Sequence, residues 1–244
     1  MIIPAAGRGN RLRPFTDTVP KALVPVGGEP LLARSLRLLA ATGRVSELVL
    51  VVGHLEEQIR DAVAALRLPF PQRFIRNPDY LQTNSIVSLA LTRELWDDGF
   101  VLIDSDVAYE PELLDPLFDD GGDAMLIDSS RGWSEIDMKV TIRDGRVWHL
   151  DKALGPGDTQ GEFFGMSTFA PAGAALLADE IESMLAAGDT GVWYEYAMRS
   201  LARRHPIAPL YTHFGAWCEI DCADDLPPAE AKLARWRTAR AGAA

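Results

Sequence analysis

The chain has 244 residues, 48% of them hydrophobic and 24% charged, which suits one soluble domain or a core with a smaller elaboration. A net charge of −11 argues against a general nucleic-acid binder, whose surface must be basic to neutralise phosphates. No apolar run approaches the roughly 20 residues of a membrane span, and residues 1–7 lack the basic-then-apolar layout of a secretory signal. A cytoplasmic protein without membrane association is expected.

Taken in chain order, short apolar runs at 1–4, 47–52, 73–76, 100–103 and 124–127 read as strands. Helical patterns fit 30–41, with Pro30 at the first helical position, then 55–66, 85–95 and 111–118. This alternation predicts an α/β fold with a mostly parallel, Rossmann-like central sheet and helices on both faces. Ligands in such sheets bind beyond the carboxyl ends of the strands. The rhythm changes near residue 130. Runs at 139–142 and 146–150 flank Asp144-Gly145, a hairpin signal because glycine tolerates the positive φ of a tight turn. A strand at 163–169, helices at 171–187 and 193–203, strands near 207–211 and 217–220, and a helix from Leu226 complete the pattern. Cys218 and Cys222 have no matching Cys or His pair, so ordinary thiols are expected rather than a zinc site.

The most informative stretch is Ile3-Pro-Ala-Ala-Gly-Arg-Gly-Asn-Arg-Leu-Arg-Pro14, followed by Val19-Pro-Lys-Ala-Leu-Val-Pro-Val-Gly-Gly28. A strand opens into Ala5, Ala6, Gly7, Arg8 and Gly9, small enough for the backbone to approach a phosphate and offer its N–H groups. Arg8, Arg11, Arg13 and Lys21 can surround a polyphosphate with positive charge. The spacing matches neither GxxxxGK[ST] nor a complete GxGxxG.

This string resembles the nucleotidyltransferase signature AAGxGxRLxP…PKxLxPVxGxP, shared by sugar-nucleotide pyrophosphorylases and the bacterial phosphocholine cytidylyltransferases. Asn10 departs from it, where Thr or Ser is commoner, as does Pro4, where Leu is commoner. The resemblance implies that residues 5–9 line the nucleotide and that Arg11 and Lys21 hold its phosphates during transfer. Charge stabilisation and in-line positioning carry such chemistry. The acceptor's own phosphate oxygen would attack the α-phosphorus. A single domain over 1–244 follows, with 1–130 as the nucleotide-binding half and 131–244 as the acceptor-binding half.

Two further runs supply acids at strand ends: Phe100-Val-Leu-Ile-Asp-Ser-Asp-Val107 and Trp217-Cys-Glu-Ile-Asp221. Alternation puts Asp104 with Asp106, and Glu219 with Asp221, on shared faces. Carboxylates with substrate phosphates suit Mg²⁺, and the resemblance implies Asp106 and Asp221 as its ligands. Asp104 stands between a ligand and a capping role. In the family a Gly-Asp is usual at the first position, and the Ile-Asp-Ser-Asp form is closer to the phosphocholine enzymes.

Thr83, Asn84 and Ser85 are good helix caps. They also offer, with Gln82, amide and hydroxyl groups that could read a nucleobase edge. The Thr-Asn-Ser-Ile-x-Ser-Leu form is similar to cytidylyltransferases acting on phosphocholine and aminoalkyl phosphonates, which implies CTP as donor. Lys152 is either a surface lysine or, as the resemblance implies, the holder of the acceptor's phosphate. Aromatics beside acids, namely Trp133 with Glu135 and Asp137, then Trp193, Tyr194 and Tyr196 with Glu195, then Trp217 with Glu219, are either core or a cage for an ammonium group. The reading is CMP transfer from CTP to a small phosphorylated or phosphonate acceptor, with homo-oligomerisation left open. Its rivals are a sugar-1-phosphate nucleotidyltransferase using UTP, GTP or dTTP, and an inactive nucleotide-binding module.

Overall fold

The computed structural model describes residues 1–119, 121–130 and 132–242, the side chains of residues 214 and 241 apart. Its first half runs β1 (Ile2–Ala5), β2 (Pro25–Val26), β3 (Glu29–Pro30), α1 (Leu31–Thr42), β4 (Leu48–Val52), α2 (Glu56–Ala65), β5 (Gln72–Arg76), α3 (Ser85–Ala90), β6 (Phe100–Ile103) and β7 (Val107–Tyr109). Then come α4 (Leu114–Asp119), β8 (Ala124–Asp128), β9 (Met138–Arg143), β10 (Arg146–Asp151), β11 (Gly161–Phe169), α5 (Pro171–Ala186), α6 (Glu195–Ala202), β12 (Ala208–Thr212), β13 (Trp217–Glu219) and α7 (Leu226–Ala241).

Among the described residues a nine-stranded sheet contains the order β10-β9-β11-β6-β1-β4-β5, with β8 joining β11 to β12. The strands β6, β1, β4 and β5 are parallel. Alternation within these apolar strands feeds two cores. Ile2, Val49 and Leu102 face α3, α5 and α6, while Ile3, Leu50 and Ile103 face α1, α2 and α4. A third cluster joins Leu12, Val24 and Leu31 to Ile220 and to Leu233 and Trp236 of α7. No helix among the described residues is long and apolar enough to cross a membrane.

β11 is the strand on which the two halves turn. Its last residues pair antiparallel with β6 and its first three with β9, while β8 covers the other edge with a register break between Phe163 and Ser167. Gly165 lies inside that break with φ of 84°, which a side chain would resist. The β9–β10 hairpin turns through Asp144 and Gly145 at φ 50° and 74°, as the sequence predicts.

Three expectations change. The helix predicted over 85–95 ends at Ala90 and resumes as a 3₁₀ turn at Arg93–Leu95. Pro30 is the residue before α1, not its first helical position, and pairs with Pro25 in a two-stranded ribbon. β7 escapes the strand reading because three residues are too few for a periodic signal; it pairs with β13 and so brings residues 107–109 beside 217–219.

Candidate active site

The carboxyl ends of β1, β5 and β6 open onto a cleft of about 260 Å³ whose far wall comes from Lys152, residues 193–195, Glu219 and Asp221. On the near wall, Ala5, Ala6, Gly7 and Gly9 border the cavity. Gly9 is left-handed, and a Cβ there would come within 2.9 Å of the Lys21 Cβ. Its carbonyl accepts from the Thr16 hydroxyl at 2.8 Å and from Leu12 N–H at 3.0 Å. Gly7 differs: a Cβ on it would meet nothing within 4 Å, so the space above it is open for a ligand. The Ala6 carbonyl is fixed by His54 N–H at 3.0 Å. Gly53 permits that contact, since a Cβ there would lie 2.8 Å from the Ala6 oxygen and 2.9 Å from the Tyr80 ring.

Across from the loop, Asp106, Glu219 and Asp221 each place an oxygen within 4.8 Å of the others. The β7–β13 pairing explains how residues so far apart in sequence meet, with Ile220 N–H bonding the Asp106 carbonyl at 3.0 Å. The Asp225 carboxylate accepts from the N–H groups of Asp221 and Cys222 at 2.8 and 2.7 Å, which fixes the turn carrying Asp221. Lys21 Nζ reaches Asp106 Oδ2 at 2.5 Å and Asp221 Oδ1 at 2.7 Å, and Arg11 pairs with Asp221 at 2.9 Å.

These contacts set the proton affinities. Burial alone would lower the Lys21 pKa, but the charges of Asp106, Asp221 and Glu219 outweigh it and hold the ammonium above its ordinary range. For Asp221 desolvation pushes upward, yet Lys21 and Arg11 win and its carboxyl stays below the usual range. Glu219 is pushed well up, first by loss of water around its carboxyl and then by Asp106 and Asp221.

Asp104 behaves differently from Asp106. The chain leaves β6 after Ile103, so strand alternation no longer governs the pair. Asp104 packs against Gly165, where a Cβ would lie 2.4 Å from its Oδ2. It accepts the Tyr194 hydroxyl at 2.8 Å, and its own N–H donates to the Gly165 carbonyl at 2.9 Å. Desolvation and then the Asp106 charge raise its pKa well above the carboxylate range. Within the fold it anchors the far wall to β6.

Most of the residues singled out from sequence border this cleft: Ala5, Ala6, Gly7, Gly9, Arg11, Lys21, Asn84, Ser85, Asp106, Lys152, Tyr194, Glu195 and Asp221. Some need correction. Arg8 and Gln82 do not line the cavity, and Gln82 is solvent-exposed because the turn at Asp79–Thr83 points it outward. Trp133 and Glu135 line a neighbouring cavity that shares only Lys152 with the cleft. Asn84 and Ser85 spend their polar groups on structure. The Asn84 side chain caps α3 through Ser85 N–H and donates to the Gly191 carbonyl, and the Ser85 hydroxyl accepts Tyr194 N–H at 3.1 Å. Tyr194 borders the cleft, but its ring is only 1% exposed and packs in the core. It cannot be the open face of a cage.

Glu219 joins Asp106 and Asp221 as a third carboxylate, a role that the Glu-Ile-Asp alternation signals in the sequence. Nothing in the sequence marks Asn77, Tyr80 and Ser88, which face the cleft beside Thr83. Asn77 is buried and donates to the Thr83 and Ser88 hydroxyls at 3.3 and 3.0 Å.

The profile of the MobA-like NTP transferase domain matches residues 1–208. The chain belongs to that family. The NTP transferase domain is 40% identical over 116 residues to the CMP-5′-(3-aminopropyl)phosphonate synthase of Streptomyces rubellomurinus, a match covering 48% of this chain and 18% of that protein. It is 37% identical over 105 residues to the choline-phosphate cytidylyltransferase of Streptococcus pneumoniae, covering 43% of each. The matches thus span less than half the length of either relative. In fold, it superposes on the CTP:phosphocholine cytidylyltransferase of Streptococcus pneumoniae with a TM-score of 0.78 at 22% identity, covering 95% of this chain and 97% of that one.

Proposed function

We propose that this NTP transferase domain moves CMP from CTP to a small phosphate- or phosphonate-bearing acceptor and releases pyrophosphate. The observation that carries this reading is one cleft with glycine-rich backbone on one wall and three carboxylates on the other, two of them, Asp106 and Asp221, bridged by the Lys21 ammonium. The preference for CTP rests on relatives named for CMP transfer to a phosphonate and to choline phosphate.

The donor set fits Mg²⁺. Asp106, Glu219 and Asp221 offer hard oxygens at mutual distances one cation can span, and Lys21 already seats a positive charge against two of them. A bound Mg²⁺ would neutralise phosphate charge as the pyrophosphate leaves. In this reading the chain's own groups do the rest. The loop N–H groups of residues 5–9 and the Arg11 guanidinium hold the triphosphate, and Lys21 follows the charge that develops on it. Lys152, on the far wall, holds the anionic end of the acceptor so that its oxygen faces the α-phosphorus in line.

The test is pyrophosphate release across the four NTPs, each offered with 2-aminoethylphosphonate, phosphoethanolamine, phosphocholine and glucose 1-phosphate, with and without Mg²⁺. CTP with a phosphonate or choline-type phosphate should give the highest kcat/KM, and EDTA should abolish it. Faster turnover of glucose 1-phosphate with UTP or dTTP would make the chain a sugar nucleotidyltransferase. Nucleotide binding with no turnover of any pair would make it an inactive module.

A further inference from the structure

Resting on the cytidylyltransferase reading, we infer that Glu195 makes the far wall of the cleft selective for acceptors that end in a primary ammonium group rather than a trimethylammonium. The two cations ask for different surroundings. A quaternary ammonium has no N–H to donate and is held by several aromatic faces together. A primary ammonium carries three donors and is best met by a carboxylate.

The rings on this wall and beside it already have partners. Tyr194 is buried with its hydroxyl on Asp104. The Trp193 ring carries the Lys152 ammonium 4.4 Å from its centroid, and Tyr196 carries the Arg199 guanidinium at 4.3 Å. Trp133 lines the neighbouring cavity. Of the aromatic residues that line the cleft, Tyr194 is buried and Trp193 already carries Lys152, which leaves Tyr80 on the opposite side and no close set of rings around a trimethylammonium at Glu195.

Glu195, at the start of α6, offers the opposite. Its carboxylate Oε2 is shielded from solvent and has no hydrogen-bond partner. A buried acceptor left so costs free energy unless a ligand donates to it. Glu195 lines the cleft beside Lys152 and Trp193, so a turn of its side chain would bring the carboxyl to a bound acceptor. Lys152 and the Glu195 carboxyl line one wall, an arrangement that suits a zwitterion whose phosphonate lies toward Lys152 and whose ammonium lies against Glu195.

Three acceptors separate the possibilities with CTP and Mg²⁺: 2-aminoethylphosphonate, its bulkier N,N,N-trimethyl analogue and n-propylphosphonate, whose terminal methyl replaces the ammonium at matched size. The primary amine should exceed both others in kcat/KM by about tenfold to a hundredfold, the range of one charge-assisted hydrogen bond to a buried partner. In Glu195→Gln the ratio of amine to n-propylphosphonate should fall about tenfold or more, through KM. Glu195→Asp should recover part of it. Calorimetric binding of the amine and the isostere to the same variants gives a readout independent of turnover. If the trimethyl analogue equals the amine in the wild type, or if Glu195→Gln lowers all three acceptors alike, the inference is overturned while CMP transfer stands. If CTP supports none of the three, the functional reading falls and this inference with it.

Discussion

Lys21 bridges two carboxylates across 85 and 200 residues of chain, so each of the three groups is defined by the others. Asp106→Asn or Asp221→Asn should keep the fold, judged by circular dichroism, and lose about 100-fold or more in turnover, the scale of one strong electrostatic contact to the reacting phosphates. Near-normal turnover in Asp221→Asn would remove it from the chemistry. Lys21→Ala should show two effects of opposite sign. Turnover should fall by a similar factor, mostly in kcat. Mn²⁺ should bind the nucleotide-free variant more tightly than the wild type, because the competing ammonium has gone; weaker binding would mean that Lys21 organises the carboxylates instead of occupying them. Glu195 permits a stability test. Burial pushes its pKa from 4.5 to about 7, so the folded state resists its ionisation while the unfolded chain does not. Wild-type stability therefore declines as pH rises from about 4.5 to 7 and levels off above. The Tm advantage of Glu195→Gln should grow across that window, and a constant offset from pH 4 to pH 8 would show that the carboxyl is solvated.

At the scale of elements, the site depends on two close approaches that only glycine allows. Gly165→Ala would place a methyl group 2.4 Å from Asp104 Oδ2 at a φ of 84°. It should destabilise by about 1–3 kcal/mol from the backbone conformation alone and also lower kcat, since Asp104 ties Tyr194 and the far wall to β6. An unchanged Tm would mean that β11 does not need its break. These two glycines also mark where the sequence was and was not readable. Strands such as 100–103 and helices such as 30–41 announced themselves by period, and the glycine-rich loop and strand-end acids by residue type. Gly53 and Gly165 sit in ordinary-looking stretches, because what they accommodate is a carbonyl and a carboxylate from distant segments. The aromatics misled for a related reason. Pattern cannot distinguish Tyr194, whose ring is buried, from Trp193, 37% exposed, because which neighbour faces the cleft is decided by how α6 docks on β10 and α5.

At the scale of the molecule, α7 lies beyond the 208 residues matched by the family profile, yet it holds the phosphate loop from behind. Leu233 and Trp236 pack with Leu12, Val24 and Leu31, which flank Arg11 and Lys21 in sequence. Lys232 donates to the Trp217 carbonyl at 2.7 Å and Arg237 to the Gly27 carbonyl at 2.7 Å. The Trp236 indole donates to Gly215 at 2.8 Å, and the Arg34 guanidinium sits 5.4 Å from its ring centroid. One helix thereby touches the loop carrying Lys21 and the strand carrying Glu219. Trp236→Ala should cost about 3–5 kcal/mol, as a large buried ring does, and the loss should be felt unevenly. Because the cavity opens under residues 12–31 and behind β13, hydrogen exchange should quicken there and not in β4 or β5. Nucleotide affinity should weaken by about tenfold or more under conditions where the variant is still folded. Uniformly faster exchange with unchanged nucleotide affinity would show that α7 supports the whole domain and has no special hold on the loop.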